Sequence, residues 1–306
     1  MIKGVDVSKH NGTINWEKVK KDGIKFAILR GGYSTTYVDS QFQNNIKGCI
    51  KNNIPVGIYW FSYATNVAGA IKEADKCLSV IKKYKEYIKY PVFYDLEYDT
   101  IRYAKTKGVI INKELASAMT EAFLNRIKSQ GYNVGIYTNL DFSRNYFTSK
   151  ILCKYDVWIA QYNSKCTYTG EYALWQYSEN GKVDGINGLI DMNYCYKDYT
   201  KEKFNENVKE LQSILNKCYK CNLEEDGLYG PLTQKAINNH YLKKGSKNDH
   251  VAWLQKSLKK LKYNISVDGS FGVETETVLK KFQRRNNLKV DKMAGLQTHT
   301  KIINLL

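Results

Sequence analysis

The stretch Tyr90-Pro-Val-Phe-Tyr-Asp95-Leu-Glu97 ends an apolar run in two carboxylates at positions i and i+2. Alternate side chains of an extended chain share a face, so Asp95 and Glu97 point the same way, with Cα atoms about 6.6 Å apart. Carboxylates this close repel one another when both are charged, which raises one pKa toward the range useful for proton transfer. Asp6 lies at the end of another apolar run and Asp191 opens a third. Four acids converging on one mouth are costly unless they serve a site. Two other readings stand beside this one: a lone Asp-x-Glu is commonly a solvated strand end, and four acids could hold Mg²⁺ or Ca²⁺. No phosphate-cradling glycine loop accompanies them, Arg30-Gly-Gly-Tyr33 being too short. Neither a metal nor a cofactor is expected.

Histidine usage excludes other chemistries. Of four histidines, none falls between His10 and His240. A Ser-His-Asp triad, a Cys-His pair or a two-histidine zinc centre has nothing to be built from there. Chemistry in the first two thirds must run on carboxylates, Tyr or Lys. The seven scattered cysteines suit free buried thiols better than a disulfide framework. Cys218-Tyr-Lys-Cys221 lacks a second Cys pair and the usual zinc spacing, so two thiols at a helix end are expected rather than a metal ligand set.

The 306 residues carry a formal net charge of +17, divided as +8 over residues 1–200 and +9 over 201–306. Such a field favours a polyanionic partner, with solubility in a Lys-rich composition as the plainer reading. Only six of the 47 basic residues are Arg, the residue that reads base edges, which argues against nucleic acid. Tyrosine concentrates before residue 200, with 21 of 25, and flat amphipathic rings there suit both core packing and stacking on sugars. Apolar runs such as Ile54–Tyr63 fall short of the ~20 residues that span a bilayer, and no membrane insertion is expected. Met1–Asp6 leads straight into folded sequence without an apolar h-region, so synthesis in the cytoplasm without a Sec signal peptide is expected.

The elements that must position the acids follow from periodicity. Strands are expected at Gly4–Val7, Phe26–Gly31, Val56–Phe61, Val92–Leu96, Val134–Thr138, Val157–Gln161, Leu174–Tyr177 and Asp191–Tyr194. Helical patterns cover Trp16–Asp22, Gln41–Asn52, Val67–Tyr87 and Lys113–Gln130. The alternation implies a parallel sheet of the α/β class. Eight strands in about 200 residues suit a shortened TIM-like (β/α) barrel with about five helices, whose catalytic groups collect at strand C-termini.

A repeat begins near residue 200. Val208–Leu215 is followed by Asp226-Gly-Leu-Tyr-Gly, and the frame returns as Val251–Leu258 followed by Asp268-Gly-Ser-Phe-Gly. Each unit is a helix, an Asp-Gly turn and a Thr-started second helix. The second continues into Phe282-Gln283 and Asp291…Gly295…Thr298, whereas the first is cut short at Asn238–Leu242. Two domains are expected: residues 1–200, and a small all-α module at 201–306 with repeats at about 204–243 and 244–306. The boundary lies near 199–205.

Residues 1 to about 198 resemble family 25 glycoside hydrolases, the Chalaropsis-type lysozymes, many of them phage endolysins. The resemblance rests on Gly4-Val-Asp6-Val-Ser8, Phe26-Ala-Ile-Leu-Arg30-Gly-Gly-Tyr, Asp39-Ser-Gln-Phe42, Gly57-Ile-Tyr59-Trp-Phe61, Asp95-Leu-Glu97, Gly135-Ile-Tyr137, Trp158-Ile-Ala-Gln-Tyr162, Trp175-Gln176-Tyr177 and Asp191. It implies a barrel that cleaves the β-1,4 bond between N-acetylmuramic acid and N-acetylglucosamine. Glu97 would be the general acid, Asp95 would stabilise the reacting acetamido group, and Asp6 and Asp191 would hold the network. Arg30, Tyr59, Phe61, Tyr137, Tyr162, Trp175 and Gln176 would contact the glycan. Trp60 stands where the family often has His, a change expected to alter a sugar contact. The tail resembles the peptidoglycan-binding domain 1 repeats, on its Leu-Gln pairs and Asp-Gly-x-Phe/Tyr-Gly turns, with Trp253 and Phe271 expected in its core. The implied partners are bacterial peptidoglycan and anionic wall polymers. The implied role is that of an endolysin, with a host autolysin, a spore-cortex enzyme or a non-catalytic wall binder as alternatives. A family 18 chitinase is excluded, since the earlier acids of its signature would fall on Tyr90 and Phe93.

Overall fold

The computed structural model describes residues 1–200 and 204–306 and divides into two compact units, 1–200 and 201–306. The boundary expected near 199–205 includes residues 201–203, which lie outside the described residues.

The first unit contains strands β1 (Ile2–Val7), β2 (Phe26–Tyr33), β3 (Tyr37–Val38), β4 (Val56–Phe61), β5 (Ile88–Asp95), β6 (Val134–Asn139), β7 (Asp156–Ala160), β8 (Leu174–Gly181) and β9 (Ile190–Cys195). Eight form one sheet in the order β1-β9-β8-β7-β6-β5-β4-β2, and β1 closes it by pairing with β2. Two-residue β3 is a hairpin addition to β2. Every expected strand is present, but the barrel is not wholly parallel: β9 runs antiparallel to both β8 and β1. The β8–β9 connection contains no helix, so the chain returns directly and reverses direction.

Helices α1 (Trp16–Lys21), α2 (Phe42–Lys51), α3 (Val67–Ile81), α4 (Tyr98–Thr106), α5 (Lys113–Lys128), α6 (Leu140–Asn145) and α7 (Ser149–Lys154) lie between the strands, seven where about five were expected. The long pattern at Val67–Tyr87 is α3 followed by a 3₁₀ segment at Lys82–Tyr87. Alternation divides each strand between two cores. Val5, Ala27, Leu29, Ile58, Trp60, Val92 and Tyr94 face the helices, whereas Phe26, Ile28, Phe93, Trp158 and Leu174 fill the barrel. Gly4 and Gly135 admit these rings, since a Cβ there would lie 2.4 Å from Phe26 and 2.5 Å from Phe93.

The second unit is helical: α8 (Glu206–Tyr219), α9 (Pro231–Asn239), α10 (Asp249–Lys260), α11 (Val273–Arg285) and α12 (Leu296–Ile303). Its repeat is a buried glutamine clamp that occurs three times. On α10, Gln255 Nε2 donates to Asp268 Oδ1 (2.7 Å), Ser270 O (3.1 Å) and Thr275 Oγ1 (3.0 Å), while its Oε1 accepts from the Asp268 and Gly269 amides. Gln212 on α8 repeats this with Asp226, Leu228 and Thr233. Gln283 on α11 repeats it with Asp291, Met293 and Thr298. Helix α11 thus closes one frame and opens the next. Trp253 and Phe271 are core, at 1% and 2% exposure.

Because Gln255 satisfies five polar groups in a site 1% exposed, Gln255→Leu leaves several of them without partners. It should destabilise a 204–306 fragment by about 2–4 kcal/mol. Urea unfolding followed by circular dichroism measures this, and a loss under ~0.5 kcal/mol would mean the clamp is not a stabilising element.

Candidate active site

Inward-facing residues at the mouth of the barrel come from most of its strands. Asp6 on β1 is the register partner of Asp191 on β9, and Asp95 at the end of β5 is flanked by Phe61 on β4 and Tyr137 on β6. Glu97 falls one residue beyond the expected strand end: β5 stops at Asp95, and Glu97 is the N-cap of α4. Its backbone remains extended, at φ −131° and ψ −174°, and its amide donates to Thr100 Oγ1 at 3.2 Å.

The acids are held by a polar network. Asp6 Oδ2 accepts from Gln176 Nε2 at 2.9 Å and from Asn193 Nδ2 at 2.8 Å. Gln176 Oε1 accepts from the hydroxyls of Tyr137 (2.9 Å) and Tyr162 (3.2 Å), and Asn193 Oδ1 accepts from the Trp158 indole at 2.8 Å. Asp39 secures Arg30: its Oδ2 accepts from Arg30 Nε at 2.6 Å and from the Lys9 amide, and its Oδ1 from the Gln41 amide. Two atoms remain over: Arg30 Nη2 and Asp95 Oδ1 are buried without a partner, which marks where a ligand would supply hydrogen bonds.

Crowding moves the titrations upward. Burial and the charge of Asp191 push the Asp6 carboxyl up to about 8, against the donors Asn193 and Gln176. Asp191 is itself raised to about 6 by burial and Glu179. The pair shares one proton at neutral pH. Burial, then Glu97 and Asp6, drive Asp95 far above its ordinary range, and Arg30 opposes them. Glu97 rises through burial and the charges of Asp99 and Asp191, with the Tyr137 hydroxyl as the lowering influence. A Glu97 carboxyl raised in this way, beside acids in unlike environments, is suited to carry and donate a proton.

Of the residues expected to contact glycan, Arg30, Tyr59, Tyr137 and Gln176 join this constellation. Tyr59 lies within the fields of Arg30, Asp6, Asp95 and Asp39. Phe61 flanks Asp95, and Tyr162 is half exposed at the rim. Trp175 does not join them. It alternates with Gln176, faces outward with Val157 and Ile159, and donates its indole N–H to Gln161 O at 2.8 Å. Trp60 likewise points outward, fully buried and bonded to Ser34 O, so its ring does not line the barrel mouth. Asn193 was missed, although it lies at i+2 from Asp191, the same spacing that marked Asp95 and Glu97. Among the described residues no group of three or more His, Cys, Asp or Glu is arranged to hold a metal ion, and Cys218 and Cys221 are free and half-buried.

A carboxyl of raised pKa beside a second acid, in an aromatic-lined barrel mouth, is the equipment of a glycosidic-bond hydrolase. Residues 5–186 match the family described as Glycosyl hydrolases family 25, and residues 247–302 match a peptidoglycan binding domain. The chain belongs to glycosyl hydrolase family 25, with a lysozyme-type domain at 5–186. The autolytic lysozyme of Clostridium acetobutylicum is 25% identical over 248 residues, 78% of this chain and 72% of its own. The structure of the autolysin LytC from Streptococcus pneumoniae with a synthetic peptidoglycan ligand is similar at TM-score 0.57 and 28% identity, covering 63% of this chain and 46% of that one. The CTP1L endolysin shares the fold at TM-score 0.56 and 23% identity, over 71% and 79% of the two chains.

The raised pKa of Asp95 has a consequence for stability. Its carboxyl binds a proton more tightly folded than unfolded, so its contribution is intact below about pH 3.8 and declines as pH rises above that value. Asp95→Asn should therefore be more stable than the parent at pH 7, with the difference vanishing below pH 4. Thermal unfolding at both pH values tests this; equal stability at pH 7 would contradict the burial cost.

Proposed function

We propose that this chain is an N-acetylmuramidase that hydrolyses the β-1,4 bond between N-acetylmuramic acid and N-acetylglucosamine in bacterial peptidoglycan. The observation that carries the reading is the placement of Glu97, whose carboxyl burial raises, beside an Asp95 whose Oδ1 is buried and unpartnered. The peptidoglycan binding match at residues 247–302 supports the polymer as substrate.

Glu97 transfers its proton to the glycosidic oxygen as the bond to the anomeric carbon breaks. Asp95 and Glu97 extend from one segment, so they approach the same side of the sugar, which suits attack by the substrate's own C2 acetamido oxygen. The acetamido N–H donates to Asp95 Oδ1, and that bond favours the carboxylate, offsetting the burial that otherwise keeps the group neutral. The carboxylate then stabilises the cyclic oxazolinium ion. Glu97, now ionised, takes a proton from water as it adds to the anomeric carbon, and the product retains its configuration. Asp6 and Asp191, sharing one proton, hold Gln176 and Asn193 in place. Arg30 Nη2 supplies a further donor to the glycan, and the net charge of +17 favours anionic wall polymers as a secondary partner.

Its biological setting is proposed as endolysin-type lysis, the hydrolase reaching the wall after synthesis in the cytoplasm. The second reading, a host autolysin, is favoured by the autolytic lysozyme relative. A transcript that appears only on prophage induction supports the first; growth-phase expression without phage supports the second.

Glu97→Gln should lower wall-hydrolysis kcat by about 10²–10⁴-fold while the protein remains folded. Turbidity loss of purified Gram-positive walls, followed by mass analysis of fragments, reads this out. Reducing ends on muramic acid identify the bond, and near-normal activity in a folded Glu97→Gln protein removes Glu97 from its role. NMR of the first-formed anomer should show the β product; an initial α product would exclude the substrate-assisted route.

A further inference from the structure

Glu73 lies in the second turn of α3 on its buried face, 1% exposed, and no step above uses it. Among the described residues no cation pairs with it, and its hydrogen-bond partners belong to the segment that follows β4. Its Oε2 accepts from the Ser62 hydroxyl at 2.7 Å and its Oε1 from the Tyr63 amide at 2.8 Å. Ser62 Oγ also accepts from the Ala64 amide at 3.1 Å and lies 2.6 Å from the Tyr94 hydroxyl. One carboxylate thus fixes both the side chain and the backbone of residues 62–64.

Those residues are the link to the reacting acids. The Ser62 amide donates to Asp95 O at 2.8 Å, and Ser62 O accepts from Thr100 Oγ1 at 2.7 Å. The same Thr100 oxygen accepts the Glu97 amide at 3.2 Å. Ser62, Tyr94 and Thr100 are fully buried, so water offers no alternative partner. The neighbouring Tyr63 ring stands against Tyr33, Phe61 and Tyr103, with centroids 5.7, 5.3 and 5.4 Å away.

We propose that Glu73 is a positioning residue for the glycosidase: its ionised carboxylate anchors Ser62 and Tyr63, and through Ser62 and Thr100 it sets the placement of Asp95 and Glu97. The proposal rests on the catalytic reading of Glu97. When Glu73 is protonated it must donate to Ser62 Oγ, so the Ser62 hydroxyl turns toward Tyr94 and the chain of donors reverses. Burial raises the Glu73 carboxyl to about 7, so both arrangements are populated near neutral pH. The titratable group facing it from β5 is Tyr94, whose phenol burial drives far above 10, so it stays protonated. On the outer surface of α3, Asp75 is paired with Arg126 of α5 at 2.6 Å and half exposed.

Glu73→Gln preserves the shape of the protonated side chain and abolishes the ionised form. The kcat ratio of parent to Glu73→Gln, measured on soluble glycan fragments with the full chain, should be about 1 at pH 5 and rise to about 3–10 at pH 8, with KM within about twofold. A ratio that stays at 1 shows that the charge plays no part, and a pH-independent ratio above 1 shows a packing role only; either overturns the proposal. If Glu73→Gln does not fold, Ser62→Ala decides. It removes the hydroxyl link but keeps the backbone bonds to Asp95 and Thr100, and should lower kcat by about 3–10-fold at pH 8; an unchanged kcat overturns the proposal. All measurements keep Glu97 intact, so failure here is distinct from activity surviving Glu97→Gln.

Discussion

Placing several carboxyl groups in a barrel mouth largely closed to water sets the terms for the rest of the catalytic unit. Each charge removed from water is costly, and neighbours of like sign add to that cost. Asp6 and Asp191 divide a single proton between them, and Asp6 also receives two amide donors. Arg30 opposes the charge of Asp95, but Asp39 already claims its Nε. What is left unbalanced sits on Asp95 and Glu97. The polar network is therefore an arrangement that confines the electrostatic imbalance to one segment, where Asp95 Oδ1 is left without a partner.

That segment was legible because its acids interrupt an apolar run, and all eight strands were legible because each is a compact β-rich run. Chain direction was not. An apolar run reads alike in either direction, so the antiparallel path of β9 appears only in three dimensions. It explains how Asp191, near the start of its strand, reaches the same end as Asp95, at the finish of its own. Helix α4 escaped notice because only Thr100 and Ala104 on it are buried, and α6 and α7 are each too short to show a period. Trp175 was assigned to the glycan through the resemblance; strict alternation from Gln176 places it on the outer face. Residues that support rather than titrate, such as Asn193 and Ser62, carry no compositional mark.

The helical unit solves a different problem. It is small, and its turns between helices must bury polar backbone without a sheet to satisfy it. A single glutamine reaching from one helix into the next turn answers that need, with Asp ordering the turn and Thr starting the following helix. His250 and His299 extend the same economy, their Nε2 atoms 2.9 Å apart in the core beside Trp253. Burial keeps both neutral, pushing His250 down to about 2 and His299 to about 4. Forty-nine residues separate them, which is why the sequence did not pair them.

Sharing α11 between two clamps bears on how such a module can be cut and joined. Thr275 near its start completes the frame of Gln255, and Gln283 near its end opens the frame of Asp291. A junction in α11 between Thr275 and Gln283 therefore leaves each clamp whole on its own side and breaks only the helix that joins them. Residues 240–248 cross no clamp, yet Leu242 pairs with Ala294 and the Trp253 indole donates to Asn207 O, so the five helices share one core and are inherited together rather than as exchangeable halves.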